Sequence, residues 1–538
     1  MRVALAQINS ILGDFAGNRD KIVEYCCKAL DRRCDLVVFP EASLFGYHPF
    51  DLLERPAIVT SQERELKKLA QKIPAGIAVV VGAITKNPKA KGKPYHNSAV
   101  LLQKGKPLKI FPKQLLPTYD VFDEARHIEP GQIEKNHFTI LGKKILVTIC
   151  EDIWAWPDAN GKSNYDHNPL RKLKGKFDLV INLSASPFTE SKAKNRRRVV
   201  KETARNFRCP VVYVNMVGAQ DELIFDGGSF ATDKTGKIVA QSIHFNEDLN
   251  VIDLKTGEGG FRDTSPLAEE QIRQALTLGI RDFVDKTGLK RVHLGLSGGI
   301  DSAVVACLAA DALGPHQVTC IGLPGPFNSP KSLDWSRQLA TNLGVLWFEI
   351  PIDRAYEHLA ASLEESFGKT EFGVMHENIQ ARLRGLLLMA YANREGSLLL
   401  NTSNKSELAM GYSTLYGDLC GGLCVIGDLL KSQVYSLARH YNSQGELIPK
   451  EIIERPPSAE LRPNQKDEDS LPPYDLLDPA VAKLVVGAKS PNGPVEKRVL
   501  KSLMSTEFKR WQAPPILKVS DHAFGRGRRL PIAHKALY

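Results

Sequence analysis

The 538-residue chain lacks the features that mark membrane, secreted and metal-cluster proteins. No apolar stretch approaches 18 residues, so no membrane-spanning helix is expected. The nine cysteines do not have the spacing of metal ligands, since Cys420 and Cys424 have no second cysteine pair with which to bind a metal. The neighbours Cys26 and Cys27 cannot easily form a disulfide with each other. Reduced thiols, and hence a cytoplasmic protein, are the expectation. The first residues favour a strand over a signal peptide.

The chain also lacks a strong charge of one sign, since 71 Lys and Arg residues stand against 61 Asp and Glu residues. A net charge of +10 is modest at this length, which suits anionic small substrates and requires no nucleic-acid surface. Basic residues cluster at 192–198 and 525–529, where a solvated helix face or a phosphate contact is a simpler explanation than DNA binding. We therefore expect no nucleic-acid partner and no membrane partner.

Internal repeats and long low-complexity tracts are absent too, and 43% of the residues are hydrophobic, enough for each of two to four domains to bury a core. Short apolar runs alternate with helical stretches, which predicts an α/β fold. A polar, glycine-rich interruption divides this pattern. It predicts one domain over 1–252, a linker over 253–268 and a second domain over 269–538.

The apolar periodicity locates the elements. In the first domain, strands are predicted at 3–8, 36–40, 77–84, 98–102, 144–150, 179–183 and 211–215, with helices at 18–32, 61–71 and 195–206. In the second, a helix at 267–287 precedes strands at 292–296, 318–322, 346–350 and 397–401, with a long helix at 378–393. The segment 456–477, rich in Pro, Asp and Glu, is expected to form a mobile loop.

The segment Ser297-Gly-Gly-Ile-Asp-Ser302 joins a predicted strand to a predicted helix. Its glycines let backbone N–H groups approach a phosphate, and the helix start adds positive potential. Asp301 is placed to hold a magnesium ion against such phosphates. No Gly-Lys-Ser/Thr follows, so the segment is not a Walker loop. It resembles the pyrophosphatase loop of enzymes that cleave ATP to AMP and pyrophosphate.

Three reactive residues each stand just beyond an apolar strand: Glu41, Lys113 and Cys150. Strand ends are where reactive groups gather in α/β layers. A thiol needs a base to become a nucleophile, which a carboxylate can supply, and an ammonium can stabilise a tetrahedral oxyanion. Taken singly, a strand-end cysteine is more often buried and inert, and a lone Glu or Lys is usually solvated.

With the residues around them, at 40–47, 113–124 and 149–152, these three positions resemble the signature blocks of the nitrilase (carbon–nitrogen hydrolase) superfamily over about residues 1–250. The resemblance implies an αββα sandwich in which Cys150 attacks an amide to give a thioester and ammonia. It implies that Glu41 is the base and that Lys113 stabilises the oxyanion.

The middle block resembles the superfamily members whose substrate is glutamine. This likeness implies that Tyr119, Ser186 and Lys192 contact glutamine. Glu124 is either a second acidic group near the thiol or part of a surface salt bridge.

Downstream of the Ser297 loop, a strand ends at about Asn401 and a helix begins soon after. Glu407 could join Asp301 on one magnesium ion, and Thr402 could donate its hydroxyl to a phosphate or to adenine. With the blocks at 411–418 and 427–434, this order resembles the NAD synthetase family over about residues 270–535.

This second likeness implies a doubly wound parallel sheet of the adenine nucleotide α-hydrolase type. It implies magnesium on Asp301 and Glu407. It implies an ATP site formed by Gly295, Leu296, Ser297, Gly298, Gly299, Ile300, Asp301, Ser302, Thr402 and Lys431, and deamido-NAD contacts from Asn378, Arg382, Glu407, Asp418 and Lys509.

Together the two resemblances imply a glutamine-hydrolysing ligase of the NAD synthetase family. Its substrates would be ATP, deamido-NAD and L-glutamine, with Mg²⁺ as cofactor, ammonia passed internally, and a homo-oligomeric state. Asparagine synthetases begin with a catalytic cysteine, whereas this chain begins Met1-Arg2-Val3. GMP synthetases use a Gly-x-Cys-x-Gly elbow and a His-x-Glu partner, and neither is evident around Cys150. The remaining alternative is an amidase fused to a nucleotide sensor.

Overall fold

The computed structural model describes residues 1–89, 91–158, 160–262 and 267–536, and the chain divides into two compact units. The first unit comprises residues 1–220 and the chain from 224 to the gap at 263–266; the second comprises 221–223 and the chain after that gap. None of the helices in the described parts of the chain is long and apolar enough to span a membrane.

The elements before the gap are fifteen strands and three α-helices within the described residues. The helices are α1 (Phe15–Asp31), α2 (Pro56–Lys72) and α3 (Lys192–Phe207). The strands are β1 (Arg2–Gln7), β2 (Leu36–Val38), β3 (Ala78–Lys86), β4 (Tyr95–Leu102), β5 (Lys109–Pro112), β6 (His137–Ile140), β7 (Lys143–Ile149), β8 (Leu179–Ser184), β9 (Val211–Asn215), β10 (Val217–Gln220), β11 (Leu223–Asp226), β12 (Phe230–Thr232), β13 (Ile238–Gln241), β14 (Asp248–Asp253) and β15 (Glu258–Gly259).

Two sheets face each other in the first unit, with the orders β15-β14-β1-β2-β3-β4-β5 and β13-β12-β9-β8-β7-β6. Successive side chains of β1 point to opposite faces of the first sheet, and both faces are apolar. Val3 and Leu5 pack in the cluster that includes the facing sheet, while Ala4 and Ala6 pack with α1 and α2. On the other side, α3 covers the second sheet through a separate apolar cluster. The unit is therefore the expected αββα sandwich.

The predicted linker begins inside this sandwich. Asp253 ends β14, which pairs antiparallel with β1, and Glu258–Gly259 pairs with β14 in turn. Residues 263–266 of the predicted linker lie outside the described residues. Within the predicted linker, β15 is the edge strand of this sheet and is only two residues long, so the polar composition of the stretch gives no sign of it.

Within its described residues, the second unit is built on a five-stranded sheet. The strands are β16 (Val292–Gly295), β17 (Val318–Gly322), β18 (Leu346–Glu349), β19 (Leu398–Asn401) and β20 (Leu423–Cys424). Its helices are α4 (Ala268–Thr287), α5 (Ile300–Leu313), α6 (Pro330–Leu343), α7 (Asp353–Phe367), α8 (Val374–Glu395), α9 (Lys405–Met410), α10 (Lys431–Tyr441), α11 (Lys450–Glu454), α12 (Tyr474–Val481), α13 (Pro494–Ser505) and α14 (Glu507–Arg510).

All four strand pairs are parallel, in the order β18-β17-β16-β19-β20. The chain runs outward from β16 to β18 and then resumes on the other side of β16 with β19, so the switch point lies between β16 and β19. Ligands of doubly wound sheets bind at the carboxyl ends of the strands beside such a switch point. The Ser297 loop follows β16 and Thr402 follows β19, so both stand there.

The segment 456–477, predicted to be a mobile loop, differs from that prediction. Its last residues are helical, because α12 begins at Tyr474 directly after Pro473. Within the loop, Glu460 accepts hydrogen bonds from Asn328 Nδ2 at 2.9 Å and from Ser332 Oγ at 2.8 Å. The segment is thus bonded to the start of α6, a long-range contact that composition does not reveal.

Two candidate active sites

The first candidate site lies where three strands of the sandwich end. Glu41 follows β2, Lys113 follows β5 and Cys150 follows β7. Gly82 of β3 lets the Glu41 turn approach, because a Cβ at Gly82 would lie 2.1 Å from the backbone nitrogen of Ala42. Cys150 has a φ of 39°, in the left-handed region that nucleophile turns often occupy.

Lys113 joins two carboxylates in the interior. Its Nζ donates to Glu41 Oε1 at 2.7 Å and to both Glu124 oxygens at 2.9 Å, and its side chain is fully buried. Burial alone would lower the pKa of Lys113, but the charges of Glu124 and Glu41 raise it well above its usual value, so the ammonium stays charged. Glu124 is therefore an interior group of this site, and the alternative of a surface salt bridge is wrong.

Glu41 is held on both oxygens. Oε1 also accepts a bond from Asn97 Nδ2 at 2.8 Å, and Oε2 accepts the backbone N–H of Ala185 at 3.0 Å. Burial raises the pKa of the Cys150 thiol well above its usual value, and the negative charge of Glu41 adds to this effect while Lys113 opposes it. A thiol of this kind needs a carboxylate that takes its proton at the moment of attack, which Glu41 can do.

Asp152 connects the nucleophile turn to the segment that carries the lysine. Its Oδ2 accepts the backbone N–H of Ile149 at 2.9 Å, and its Oδ1 accepts those of Gln114 and Leu115 at 3.0 and 2.9 Å. Burial raises the pKa of Asp152 to about 6, against these three bonds. The sequence shows Asp152 inside the cysteine block, but the bonds to residues 114 and 115 span more than 35 positions and leave no local signal.

Two of the predicted glutamine contacts, Tyr119 and Lys192, lie near the buried carboxylate of Glu151, the residue that follows Cys150. Tyr119 Oη donates to Glu151 at 3.2 Å, and Lys192 Nζ lies 4.4 Å from the ring centroid of Trp154. Burial raises the pKa of Glu151, with the charge of Lys192 opposing the rise. Ser186 is buried, and its backbone N–H donates to Asn215 Oδ1 at 2.9 Å.

One arginine of the cluster at 192–198 is buried, although a solvated face or a phosphate contact is the expectation for the cluster. Arg196 uses all its donors: Nη1 bonds both oxygens of Asp226 at 2.6 and 2.8 Å, Nε bonds Ser186 Oγ at 3.1 Å, and Nη2 bonds the carbonyls of Ser186 and Pro187, each at 2.7 Å. It holds the same short segment whose Ala185 N–H reaches Glu41.

The second candidate site is a cavity at the carboxyl ends of β16 and β19. Gly298 does not line it: this glycine has a φ of +76° and packs against α6, where a Cβ would lie 2.3 Å from the carbonyl oxygen of Ser332. The other predicted ATP contacts all line it: Gly295, Leu296, Ser297, Gly299, Ile300, Asp301, Ser302, Thr402 and Lys431.

Three charged side chains meet in the cavity beside the Ser297 loop. Lys431 Nζ donates to Asp301 Oδ2 at 2.6 Å and to Glu407 Oε1 at 3.1 Å. Burial raises the pKa of Glu407 to about 7, with Lys431 opposing the rise and Asp301 adding to it. The charges of Asp301 and Glu407 keep the pKa of Lys431 above its usual value although burial alone would lower it. The arrangement places one cation between two carboxylates beside the Ser297 loop.

Four consecutive residues at the start of α9, 404 to 407, use their side chains to join distant segments around this centre. Asn404 Nδ2 donates to Asp301 Oδ1 at 2.9 Å, and Lys405 Nζ donates to Asp428 Oδ1 at 2.7 Å. Ser406 Oγ donates to Asp478 at 2.5 Å and accepts the backbone N–H of residue 431 at 3.1 Å. Sequence reasoning identified only the fourth member, Glu407.

The remaining predicted deamido-NAD residues converge on one loop, 411–418. Lys509 Nζ donates to the carbonyls of residues 411 and 413 at 2.8 and 2.7 Å, and the exposed Arg382 donates to that of residue 415 at 3.2 Å. Asn378 accepts a bond from Thr414 Oγ1 at 2.7 Å, while Asp418 accepts the Thr414 backbone N–H and lines the cavity. Burial raises the pKa of Asp418 to about 6.

The segment 456–467 contributes cavity residues that the sequence does not single out. Tyr474 Oη donates to Asp467 Oδ2 at 3.0 Å and lies 3.4 Å from Glu407 Oε1. Arg384 also lines the cavity, where burial lowers the pKa of its guanidinium to about 10. Composition marks this segment only as a loop, so its position over the cavity could not be inferred.

Family comparisons cover both units. A carbon-nitrogen hydrolase model matches residues 2–260, and an NAD synthase model matches residues 272–513. The chain is 45% identical to the glutamine-dependent NAD(+) synthetase of Synechocystis over 99% of this chain and 98% of that protein. It is 37% identical to the enzyme of that name from Thermotoga maritima over 99% of both chains. Among solved structures, the glutamine-dependent NAD+ synthetase of Acinetobacter baumannii in complex with ADP superposes with a TM-score of 0.77 at 34% identity, covering 99% of this chain and 98% of that one.

Proposed function

The chain belongs to the family of glutamine-dependent NAD(+) synthetases, and from that membership we propose a division of roles between its two sites. The protein is an ATP-dependent ligase that amidates deamido-NAD to NAD with glutamine as the nitrogen donor. The observation that carries the division is the pair of ionic centres, each built on a buried lysine. Lys113 joins Glu41 and Glu124 beside Cys150 in one unit, and Lys431 joins Asp301 and Glu407 in the other.

At the first site, Cys150 attacks the side-chain amide carbon of glutamine while Glu41 takes the thiol proton. Lys113 is placed to stabilise the oxyanion, and its contact with Glu124 keeps it charged. Collapse of the tetrahedral intermediate releases ammonia, with the proton returned from Glu41, and leaves a thioester. Glu41 then activates a water molecule that hydrolyses the thioester to glutamate and frees the thiol.

Tyr119, Ser186 and Lys192 hold the amino-acid end of glutamine in this proposal. The Lys192 ammonium suits the substrate carboxylate. The contact between Tyr119 and the buried Glu151 supports this placement, because it sets the tyrosine next to the nucleophile turn.

At the second site, the nicotinate carboxylate of deamido-NAD attacks the α-phosphorus of ATP, and pyrophosphate leaves. Ammonia then attacks the acyl carbon of the adenylated acid, so that NAD forms and AMP leaves. Lys431 and the backbone N–H groups of the Ser297 loop stabilise negative charge on the phosphates. The loop 411–418, with Asn378, Arg382, Asp418 and Lys509 around it, binds deamido-NAD.

Mg²⁺ fits the donor set of the second site, since Asp301 and Glu407 present carboxylate oxygens on either side of Lys431. When bound there, the ion would offset charge on the pyrophosphate. This chain's own contribution is to hold the two carboxylates in place, through Asn404 on Asp301 and through the α9 turn on Glu407.

We also propose a homo-oligomer and a cytoplasmic site of action. The exposed apolar side chains of α8, Val374, Met375, Leu386 and Met389, support a subunit contact, which sedimentation velocity would detect. All nine cysteines are free thiols, which supports a reducing compartment.

The division of roles is tested by Cys150→Ala in the full chain. We expect glutamine-dependent NAD synthesis to disappear while ammonia-dependent synthesis and pyrophosphate release keep their rates. The exposed Cys27→Ala is the matched control and should change neither rate. Retention of glutamine-dependent synthesis in C150A would refute the role of Cys150, and absence of pyrophosphate from the wild-type chain would refute the second site.

A further inference from the structure

Lys405 is a buried cation close to the second site but outside its cavity, and no proposed step uses it. Lys405 is 1% exposed, and its Nζ has three acceptors: Asp428 Oδ1 at 2.7 Å, Ser520 Oγ at 2.8 Å and the carbonyl oxygen of His522 at 2.7 Å. An ammonium has three protons, so each has a partner. Such complete satisfaction fixes the position of the group that makes the bonds.

Its partner Asp428 holds a segment near the C-terminus. The residues 516–522, which we call the C-terminal strap, run beside β20, with a parallel bridge between Cys424 and Ile516. Asp428 Oδ2 accepts the backbone N–H groups of Val519 and Ser520 at 2.8 and 2.6 Å, and Oδ1 accepts the Ser520 hydroxyl at 2.9 Å. One carboxylate thus fastens the strap at three points.

The same ion pair lies next to the proposed catalytic groups along the chain. Lys405 is the first residue of α9 and Glu407 the third, while Asp428 stands three residues before Lys431 at the start of α10. The backbone N–H of Lys405 also donates to the carbonyl of Leu429 at 2.8 Å. Moving either member of the pair therefore moves the backbone that carries Glu407 or Lys431.

The strap lies outside the residues that the NAD synthase family model matches, which end at residue 513. It is nonetheless the direct partner of the Lys405 and Asp428 pair. The Lys405 and Asp428 pair, which lies within the matched residues, is thus bonded to a segment that follows those residues in the chain.

We propose that the C-terminal strap is a positioning element of the synthetase site, and that Lys405, Asp428 and Ser520 are positioning residues that set Glu407 against Lys431. The proposal rests on the roles proposed above for Glu407 and Lys431. None of the three residues lines the cavity, so they act on the reaction only through the two segments that they join.

The Ser520 hydroxyl offers the mildest test, because it bonds both Lys405 and Asp428 and its residue is partly exposed. In the full chain with saturating ammonia, Ser520→Ala should lower kcat by about tenfold, since small displacements of catalytic groups are costly. The KM for ATP should change less, because the charge stabilisation that Lys431 supplies matters most in the transition state. Ser520→Thr keeps a hydroxyl and should restore the rate. Equal rates in S520A and wild type, or equal losses in S520A and S520T, would overturn the proposal.

The ion pair gives a second test that separates positioning from stability. Lys405→Met leaves the Asp428 charge buried without its partner and should lower both the melting temperature and kcat. Adding Asp428→Asn removes that charge and retains an acceptor for the strap, so the melting temperature of K405M/D428N should recover. If the pair positions the site, kcat stays low in the double variant. Recovery of kcat together with the melting temperature would show a purely structural pair and overturn the proposal.

Two controls make the outcome specific. Lys483→Met removes a partly exposed ion pair with Glu496 in the same unit and should leave kcat unchanged. Glutamine hydrolysis should be unchanged in every variant, which reports that the first unit is folded, and the melting temperature reports on the second. Glu407→Gln must abolish ammonia-dependent synthesis: if it does not, the proposed function of Glu407 fails, whereas a dead E407Q beside fully active strap variants refutes the strap proposal alone.

Discussion

Lys113 is a fully buried ammonium whose charge is balanced by two carboxylates, Glu41 and Glu124. Removing it leaves two negative groups buried without their cation. We expect Lys113→Met to abolish glutamine hydrolysis and to lower the free energy of unfolding by about 3–5 kcal/mol. Glutaminase assays and urea denaturation would measure both effects.

A second substitution separates the two effects of losing Lys113. K113M/E124Q should regain much of the stability, because it removes one of the two unpaired charges, but it should remain inactive because the oxyanion stabiliser is still missing. Activity in the double variant would contradict the proposed role of Lys113.

Arg196 supports the proposed glutamine pocket through five hydrogen bonds to Asp226, Ser186 and Pro187. Lysine keeps the charge but cannot reproduce the guanidinium fork. We expect Arg196→Lys to raise the KM for glutamine by about tenfold or more, because Ser186 is displaced. Steady-state kinetics with glutamine and with ammonia would measure it.

The neighbouring Arg197 is exposed, so Arg197→Lys makes the same exchange on the same helix without the buried bonds. It should behave as wild type. Loss of ammonia-dependent synthesis in R196K would mean that the effect is not confined to the glutamine pocket.

At the residue scale, the sequence predicts groups whose local surroundings are diagnostic. Glu41, Lys113 and Cys150 each end an apolar run, and the structure places each at a strand end. Arg196 escaped notice inside a basic cluster, although the helical period offered a signal: it shares its face with Val199, Val200 and Thr203, which are buried. Its partner Asp226 lies 30 residues away, a pairing that no local pattern encodes.

Among the helices, α4 and α10 are joined by one carboxylate. Glu270 bonds Arg273 on its own helix and His440 on α10, and these contacts, the arginine first, lower its pKa from 4.5 to about 2 although burial opposes the change. Because its folded pKa lies below its unfolded value, the stability that Glu270 contributes is complete above about pH 4.5 and is lost as the pH falls toward 2.

Glu270→Gln should therefore lower the melting temperature at pH 7 and flatten its decline below pH 4.5. Thermal unfolding followed between pH 7 and pH 3 would show this. A parallel shift at all pH values would contradict the assigned ionisation.

The periodicity of the chain predicts where elements lie better than where they end. Helix α1 begins at Phe15 rather than at residue 18, because Asp14 caps it through the N–H of Gly17, and α2 begins at Pro56, whose ring suits a first helical turn. The sequence does not predict the strands β10 to β13, because each has only three or four residues and so shows too little alternation of apolar and polar residues. Sheet order depends on pairings far apart in the chain, such as β1 with β14, and could not be read locally.

At the scale of the whole molecule, the first proposed reaction releases the ammonia that the second consumes. Neutral ammonia is scarce near pH 7, and water would hydrolyse a waiting acyl adenylate, so we expect internal transfer. With amide-¹⁵N glutamine and excess unlabelled ammonium at pH 7, the NAD formed should carry mainly ¹⁵N. Mass spectrometry of NAD measures the label.

C150A supplies the control for that experiment, because its NAD should contain only unlabelled nitrogen. Label diluted in proportion to the external ammonium would show that ammonia mixes with the solvent before it reacts.

Gly82 has a consequence of another kind. It lies in the extended strand β3, so glycine is needed there for room and not for its backbone freedom. The atoms that a side chain would strike, Ala42 N at 2.1 Å and the Glu41 carbonyl carbon at 2.6 Å, belong to the main chain. Every other amino acid adds volume at residue 82, and no exchange at 41 or 42 can remove main-chain atoms. A substitution at residue 82 therefore has no compensating partner at those two positions, and any relief must come from a shift of the main chain itself.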